Sequence, residues 1–90
     1  MVLWPLGVGA QDGKEDEARV HFTQGVEFYQ QQAYEKAAIS FARAYEVKPS
    51  YKILYNIGQV ENQLEHYSAA LDAYSRYLSE GGDEVDEERR

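Results

Sequence analysis

Ninety residues make room for one small domain, and with 43% hydrophobic residues, 28% charged residues and no cysteine the chain reads as globular, without disulfides or thiolate metal sites. The formal charge of −7 is carried by the ends: residues 11–17 hold four acids and one lysine, residues 80–90 hold six acids and two arginines, and residues 18–79 hold six of each sign. With no basic stripe to follow a phosphate backbone, nucleic-acid binding is argued against, and no run approaches the ~20 apolar residues that span a bilayer.

Residues 1–15 form an apolar and then acidic N-terminal segment. Its opening run, MVLWPLGVGAQ, contains Val8-Gly9-Ala10, the small-residue pattern of a signal-peptidase site, but lacks the basic region and longer apolar core of a whole signal peptide. We expect a signal-peptide remnant; the alternative is an irregular apolar arm packed on the first helix. A remnant places the protein in a bacterial periplasm or otherwise outside the cytoplasm, whereas an arm leaves it cytoplasmic.

A first unit occupies 16–49, with helices over about Asp16–Gln31 and Tyr34–Val47, closed by Pro49. Tyr34, Ala37, Ala38, Phe41, Ala44 and Tyr45 follow the i, i+3, i+4, i+7 spacing of one helix face. A second unit over 50–82 has helices over about Ser50–Leu64 and Tyr67–Glu80, with Ser50 as N-cap and Gly81-Gly82 as the stop. Shifted by 33 residues, the apolar stripe reappears as Tyr67, Ala70, Leu71, Tyr74, Tyr77 and Leu78, Gly25 reappears as Gly58, and Val20 and His21 become Ile53 and Leu54. This is an internal repeat. Asp83, with Asp86 three residues on, opens a third or capping helix over 83–90. Its short length points to a segment of a longer protein.

Glycine inside a helix costs about 1 kcal/mol relative to alanine, so two glycines in register need a reason. Two helices approach closely only where facing residues are small. Gly25 is expected to face Ala37, and Gly58 to face Ala70, with Phe41 and Tyr74 filling the space alongside. No strand precedes either glycine, and the spacing is not that of a phosphate loop.

These residues resemble the tetratricopeptide repeat. The family pattern of large residue, Leu, Gly, Tyr, Ala, Phe, Ala and Pro falls on His21, Gln24, Gly25, Phe28, Ala37, Phe41, Ala44 and Pro49 in the first unit. In the second it falls on Leu54, Ile57, Gly58, Glu61, Ala70, Tyr74, Tyr77 and Gly82, with a linker one residue short. Gln24, Glu61, Tyr77 and Gly82 depart from the pattern. The resemblance implies an all-α fold of two tandem helix–turn–helix hairpins in a short right-handed solenoid segment. It also implies a concave groove lined by the first helix of each unit.

Carried over, the groove positions are Arg19, Phe22, Thr23, Val26, Tyr29 and Gln30, then Lys52, Tyr55, Asn56, Gln59, Asn62 and Gln63. They include no acid, and they combine aromatic faces with amides and two bases, a composition suited to binding. The expected function is a non-catalytic protein–protein interaction scaffold taking a peptide or partner helix. A solvated structural face is the plainer reading of the same residues. The rival function is self-assembly into a homo-oligomer through exposed repeat ends. Only Asn56 matches the clamp with which relatives grip chaperone tails, so that ligand class is not expected.

Nothing points to an enzyme, a cofactor or a metal. His21 and His66 stand apart, and neither has triad or metal-ligand spacing. Ser68 lies near His66 in a turn, and Glu61 with Glu65 is an ordinary i, i+4 carboxylate pair.

Overall fold

The computed structural model describes the backbone of residues 3–89 and, within it, the side chains of residues 13–85 and 87. The fold is all-helical: α1 (Leu3–Gln30), α2 (Tyr34–Val47), α3 (Tyr51–Gln63), α4 (Tyr67–Gly81) and α5 (Asp83–Arg89). Each helix packs on the next, α1 on α2, α2 on α3 and α3 on α4, with α5 touching α4 more lightly.

Local chemistry sets most of the boundaries. Lys48, extended at φ −146°, precedes Pro49 and ends α2 because the proline ring disfavours helical conformation in the residue before it. Ser50 caps α3, its hydroxyl oxygen accepting the Lys52 N–H at 3.3 Å. Gly82, at φ 51°, turns the chain from α4 into α5.

Each hairpin turn places a non-glycine residue at left-handed φ, Gln32 at 63° and Glu65 at 64°, again 33 positions apart. The next residues, Ala33 and His66, also match, at φ −88° and −89°. Their N–H groups donate to Phe28 O and Glu61 O, both at 2.8 Å. These are the backbone bonds that satisfy carbonyls at a helix C-terminus.

The first helix differs from expectation. It begins at Leu3 rather than near Asp16, so the backbone from Leu3 onward is helical and not an irregular arm. Pro5 sits in its first turn, where a missing N–H breaks no helical bond. The apolar side chains read as a signal remnant lie outside the described residues.

Two apolar clusters form the interior. Ala37, Phe41, Ala44, Ile53 and Val60 make the first, bordered by Phe22, Val26 and Tyr29 of α1. Leu54, Tyr77 and Val85 make the second, and Tyr45 and Ile57 border both. On the outer side, the Tyr45 hydroxyl donates to Glu80 Oε1 at 2.9 Å and accepts from Arg76 Nη2 at 2.8 Å. Burial first, and then the Glu80 hydrogen bond, hold the Tyr45 phenol pKa above its ordinary 10.0.

The glycine positions carry the tightest packing. A Cβ on Gly25 would lie 2.6 Å from Phe41 Cε1, and one on Gly58 would lie 2.6 Å from Tyr74 Cε1. In both places the nearest atoms belong to the ring, not to Ala37 or Ala70, because a flat aromatic edge lies directly over the helix backbone. Phe41 is fully buried, whereas Tyr74 is only half-buried.

This difference makes Gly25 the less forgiving position. Gly25→Ala is expected to lower stability by about 2 kcal/mol, since overpacking a closed core costs about 1–3 kcal/mol. Gly58→Ala should cost less, because the Tyr74 ring has open space to move into; equal losses in urea melts would mean that Tyr74 is as firmly held as Phe41. Glu65→Gly is expected to raise stability by about 0.5–1 kcal/mol, as the left-handed penalty outweighs the added chain entropy of glycine. Thermal melting of that variant checks the turn.

Candidate functional site

The twelve groove positions divide into two rows. On α1, Arg19, Thr23 and Gln30 are exposed, and Phe22, Val26 and Tyr29 are half-buried against the first cluster. On α3, Lys52, Asn62 and Gln63 are exposed, and Tyr55, Asn56 and Gln59 are half-buried.

The aromatic residues among them lean inward. The Phe22 ring lies 5.4 Å from Phe41, and Tyr29 meets Tyr34 edge-on at 5.2 Å. Tyr55 sits between Tyr74 and Tyr77, at 5.8 and 5.2 Å. Burial raises the Tyr74 phenol pKa, and the nearby Tyr55 and Tyr29 phenols raise it further. These rings are half-buried, and their contacts help to close the hairpins.

Three of the groove residues share a single concavity. Arg19, Phe22 and Lys52 line an open cleft of about 380 Å³ together with Glu15, Ala18, Lys48, Pro49, Ser50 and Ile53. Its floor is apolar, from Ala18, Phe22 and Ile53, and its rim carries Arg19, Lys48 and Lys52 against a single acid, Glu15. Thr23, Val26, Tyr29, Gln30, Tyr55, Asn56, Gln59, Asn62 and Gln63 lie outside it.

The groove positions predict an acid-free surface, but Glu15 enters the cleft rim. Its carboxylate lies 3.5 Å from Lys48 Nζ, and Asp16 pairs with Arg19 at 2.9 Å. Both acids are in place because α1 continues as helix N-terminal to Asp16. Lys48 and Ser50 come from the loop after α2. Pro49 marks that loop in the sequence, but nothing there shows that it folds back against α1.

The two histidines stand outside this cleft. His66 is exposed with Nδ1 2.8 Å from Glu61 Oε1, and half-buried His21 has Nε2 4.0 Å from Glu17 Oε2. Among the described residues no cluster of three or more His, Cys, Asp or Glu is arranged to hold a metal ion. No helix among them is long and apolar enough to cross a membrane.

The chain matches no protein-family model, no curated protein and no solved structure.

The cleft and the rings respond differently to truncation. Phe22→Ala is expected to destabilise the fold by about 2–4 kcal/mol, because it removes a ring packed on Phe41. Arg19→Ala and Lys52→Ala should each stay within about 0.5 kcal/mol of the parent, as exposed charges do. Urea melts of the three variants show whether cleft charge can be removed without disturbing the core.

Proposed function

We propose that the chain is a helical-repeat interaction module, of the tetratricopeptide kind that its 33-residue repeat resembles, and that it binds a partner peptide along the face shared by α1 and α3. The observation that carries this reading is the cleft with an apolar floor of Ala18, Phe22 and Ile53 and three cations on its rim. Such a surface suits a short peptide that inserts an apolar side chain and places a carboxylate beside Arg19 and Lys52. The half-buried Tyr29 and Tyr55 extend the face beyond the cleft and offer rigid contact area. The matching hairpin turns at Gln32 and Glu65 support a tandem arrangement of two like units in a short solenoid. An exported setting, in a bacterial periplasm or envelope, is part of the same proposal and rests on Val8-Gly9-Ala10 alone.

Panning a displayed peptide library against the 90-residue chain tests the proposal. Enriched peptides should carry an acidic residue near an apolar one, and Arg19→Ala with Lys52→Ala should weaken their binding about tenfold or more, the scale of losing two charge-assisted contacts. Tyr55 is a poor probe of binding, because its ring also supports Tyr74 and Tyr77. Peptides that bind the double variant as well as the parent would remove the cleft from the mechanism.

A further inference from the structure

The repeat sets opposite charges at one of its positions and like charges at another. Glu15 and Lys48 stand 33 residues apart, as do Arg19 and Lys52. All four line the α1–α3 cleft. The first pair is neutralised within the chain, with Glu15 Oε2 3.5 Å from Lys48 Nζ. The second is a pair of cations, which cannot neutralise one another.

Helical spacing fixes where Glu15 stands. Glu15, Ala18 and Phe22 are i, i+3 and i+7 on α1, so the carboxylate shares a helix face with the apolar floor. Lys48 comes from the loop after α2, and the ion pair bridges the two walls of the cleft. A ligand seated on Ala18 and Phe22 therefore meets Lys48 with an acid already beside it.

Arg19 is held differently. Its Nη1 donates to Asp16 Oδ1 at 2.9 Å, three residues back on α1, but Asp16 does not line the cleft. A guanidinium has five donors in a planar fork and can serve two acids at once. The bond to Asp16 thus leaves Arg19 able to receive a ligand carboxylate. The Lys48 ammonium is a compact point charge, and its acid lies on the ligand's own side.

Lys48 and Glu15 are 52% and 53% exposed, and a pair so open to solvent contributes little to the fold. It matters more to a second acid entering the cleft. That acid must displace Glu15 from Lys48 or lie beside it, like charge against like charge. Such a repulsive element is how a site rejects a near relative of its ligand.

We propose that Glu15 is a specificity-determining residue. It withholds Lys48, so that the cleft takes an apolar peptide with one carboxylate, seated at Arg19 and Lys52, and gains nothing from a second. This inference rests on the peptide-binding reading of the cleft and names the ligand class within it: singly acidic apolar peptides rather than acidic runs.

The probes are three capped tripeptides, acetyl-Asp-Leu-Asn-amide, acetyl-Asn-Leu-Asp-amide and acetyl-Asp-Leu-Asp-amide, titrated at millimolar concentration into the isotope-labelled 90-residue chain. The parent should bind the better single-acid probe at least as tightly as the double-acid one, with amide shifts at Ala18, Phe22 and Ile53. In Glu15→Gln the order reverses, and the double-acid probe binds about threefold more tightly, the scale of one exposed ion pair. Adding Lys48→Met should abolish that preference. Glu27→Gln makes the same change in net charge on α1 but outside the cleft, and should keep the parent order. Because Glu15 is half exposed, its variant should melt like the parent.

The inference alone is overturned if single-acid binding depends on Arg19 and Lys52 but Glu15→Gln leaves the order of the probes unchanged. A parent that prefers the double-acid probe overturns it too, as does a reversal that survives Lys48→Met or that Glu27→Gln reproduces. If no probe shifts the floor residues, or if Arg19→Ala with Lys52→Ala leaves single-acid binding intact, the peptide reading of the cleft fails and takes this inference with it.

Discussion

The structure depends on an aromatic edge lying against bare backbone. At Gly25 and Gly58 a ring sits where any side chain would need to be, Phe41 over the first and Tyr74 over the second. This contact sets the distance between the helices of each hairpin. That distance in turn decides how far the α1 and α3 rows stand from their second helices. The intrinsic penalty of two helical glycines, about 1 kcal/mol each, is offset by bringing a whole ring into contact that an alanine would hold away. Both hairpins close by the same device, and their turns also coincide, down to the left-handed residues Gln32 and Glu65.

The two contacts are alike in geometry and unlike in their surroundings. Phe41 is enclosed because α3 lies over α2, whereas Tyr74 belongs to a helix whose outer face is open. The difference originates in the segment C-terminal to each hairpin. After the first comes Ser50 and a helix whose aliphatic residues stand at interface spacing; after the second comes Gly82 and an acidic helix with Val85 alone. Polarity at the two outer faces is therefore unequal: glutamines and a glutamate on α1, leucines and tyrosine on α4.

The sequence made the helical periodicity and the hairpin register plain. The α2 bounds agree at both ends, and the α3 and α4 bounds agree to within one residue, since Pro49, Ser50 and Gly82 act locally through backbone conformation. The start of α1 was not legible. Pro5, Gly7, Gly9 and Gly13 make the opening run look like a breaker-rich segment, yet each is tolerated singly where a long helix carries it. The candidate site was legible only in part. The resemblance to the tetratricopeptide repeat implied a common row for Arg19 and Phe22 and an equivalent place for Lys52 on α3. But the fold of the Lys48–Ser50 loop, which completes the cleft, is a tertiary fact with no local signature. The carried-over positions also could not distinguish a ring that faces a ligand from one that faces a neighbour, and Phe22 and Tyr55 lie against neighbouring rings.

Tyr45 sits on α2, but its hydroxyl joins Glu80 and Arg76 of α4, reaching past α3. Its ring, like Ile57, borders both apolar clusters. A chain of stacked units in which each touches only its neighbour can fray from one end. Here a strut spans the junction, and two side chains belong to both interiors, so loosening one hairpin removes support from the other. The pair is therefore expected to unfold as one cooperative unit, with amide protons deep in α2 and α4 sharing a single opening free energy in hydrogen exchange.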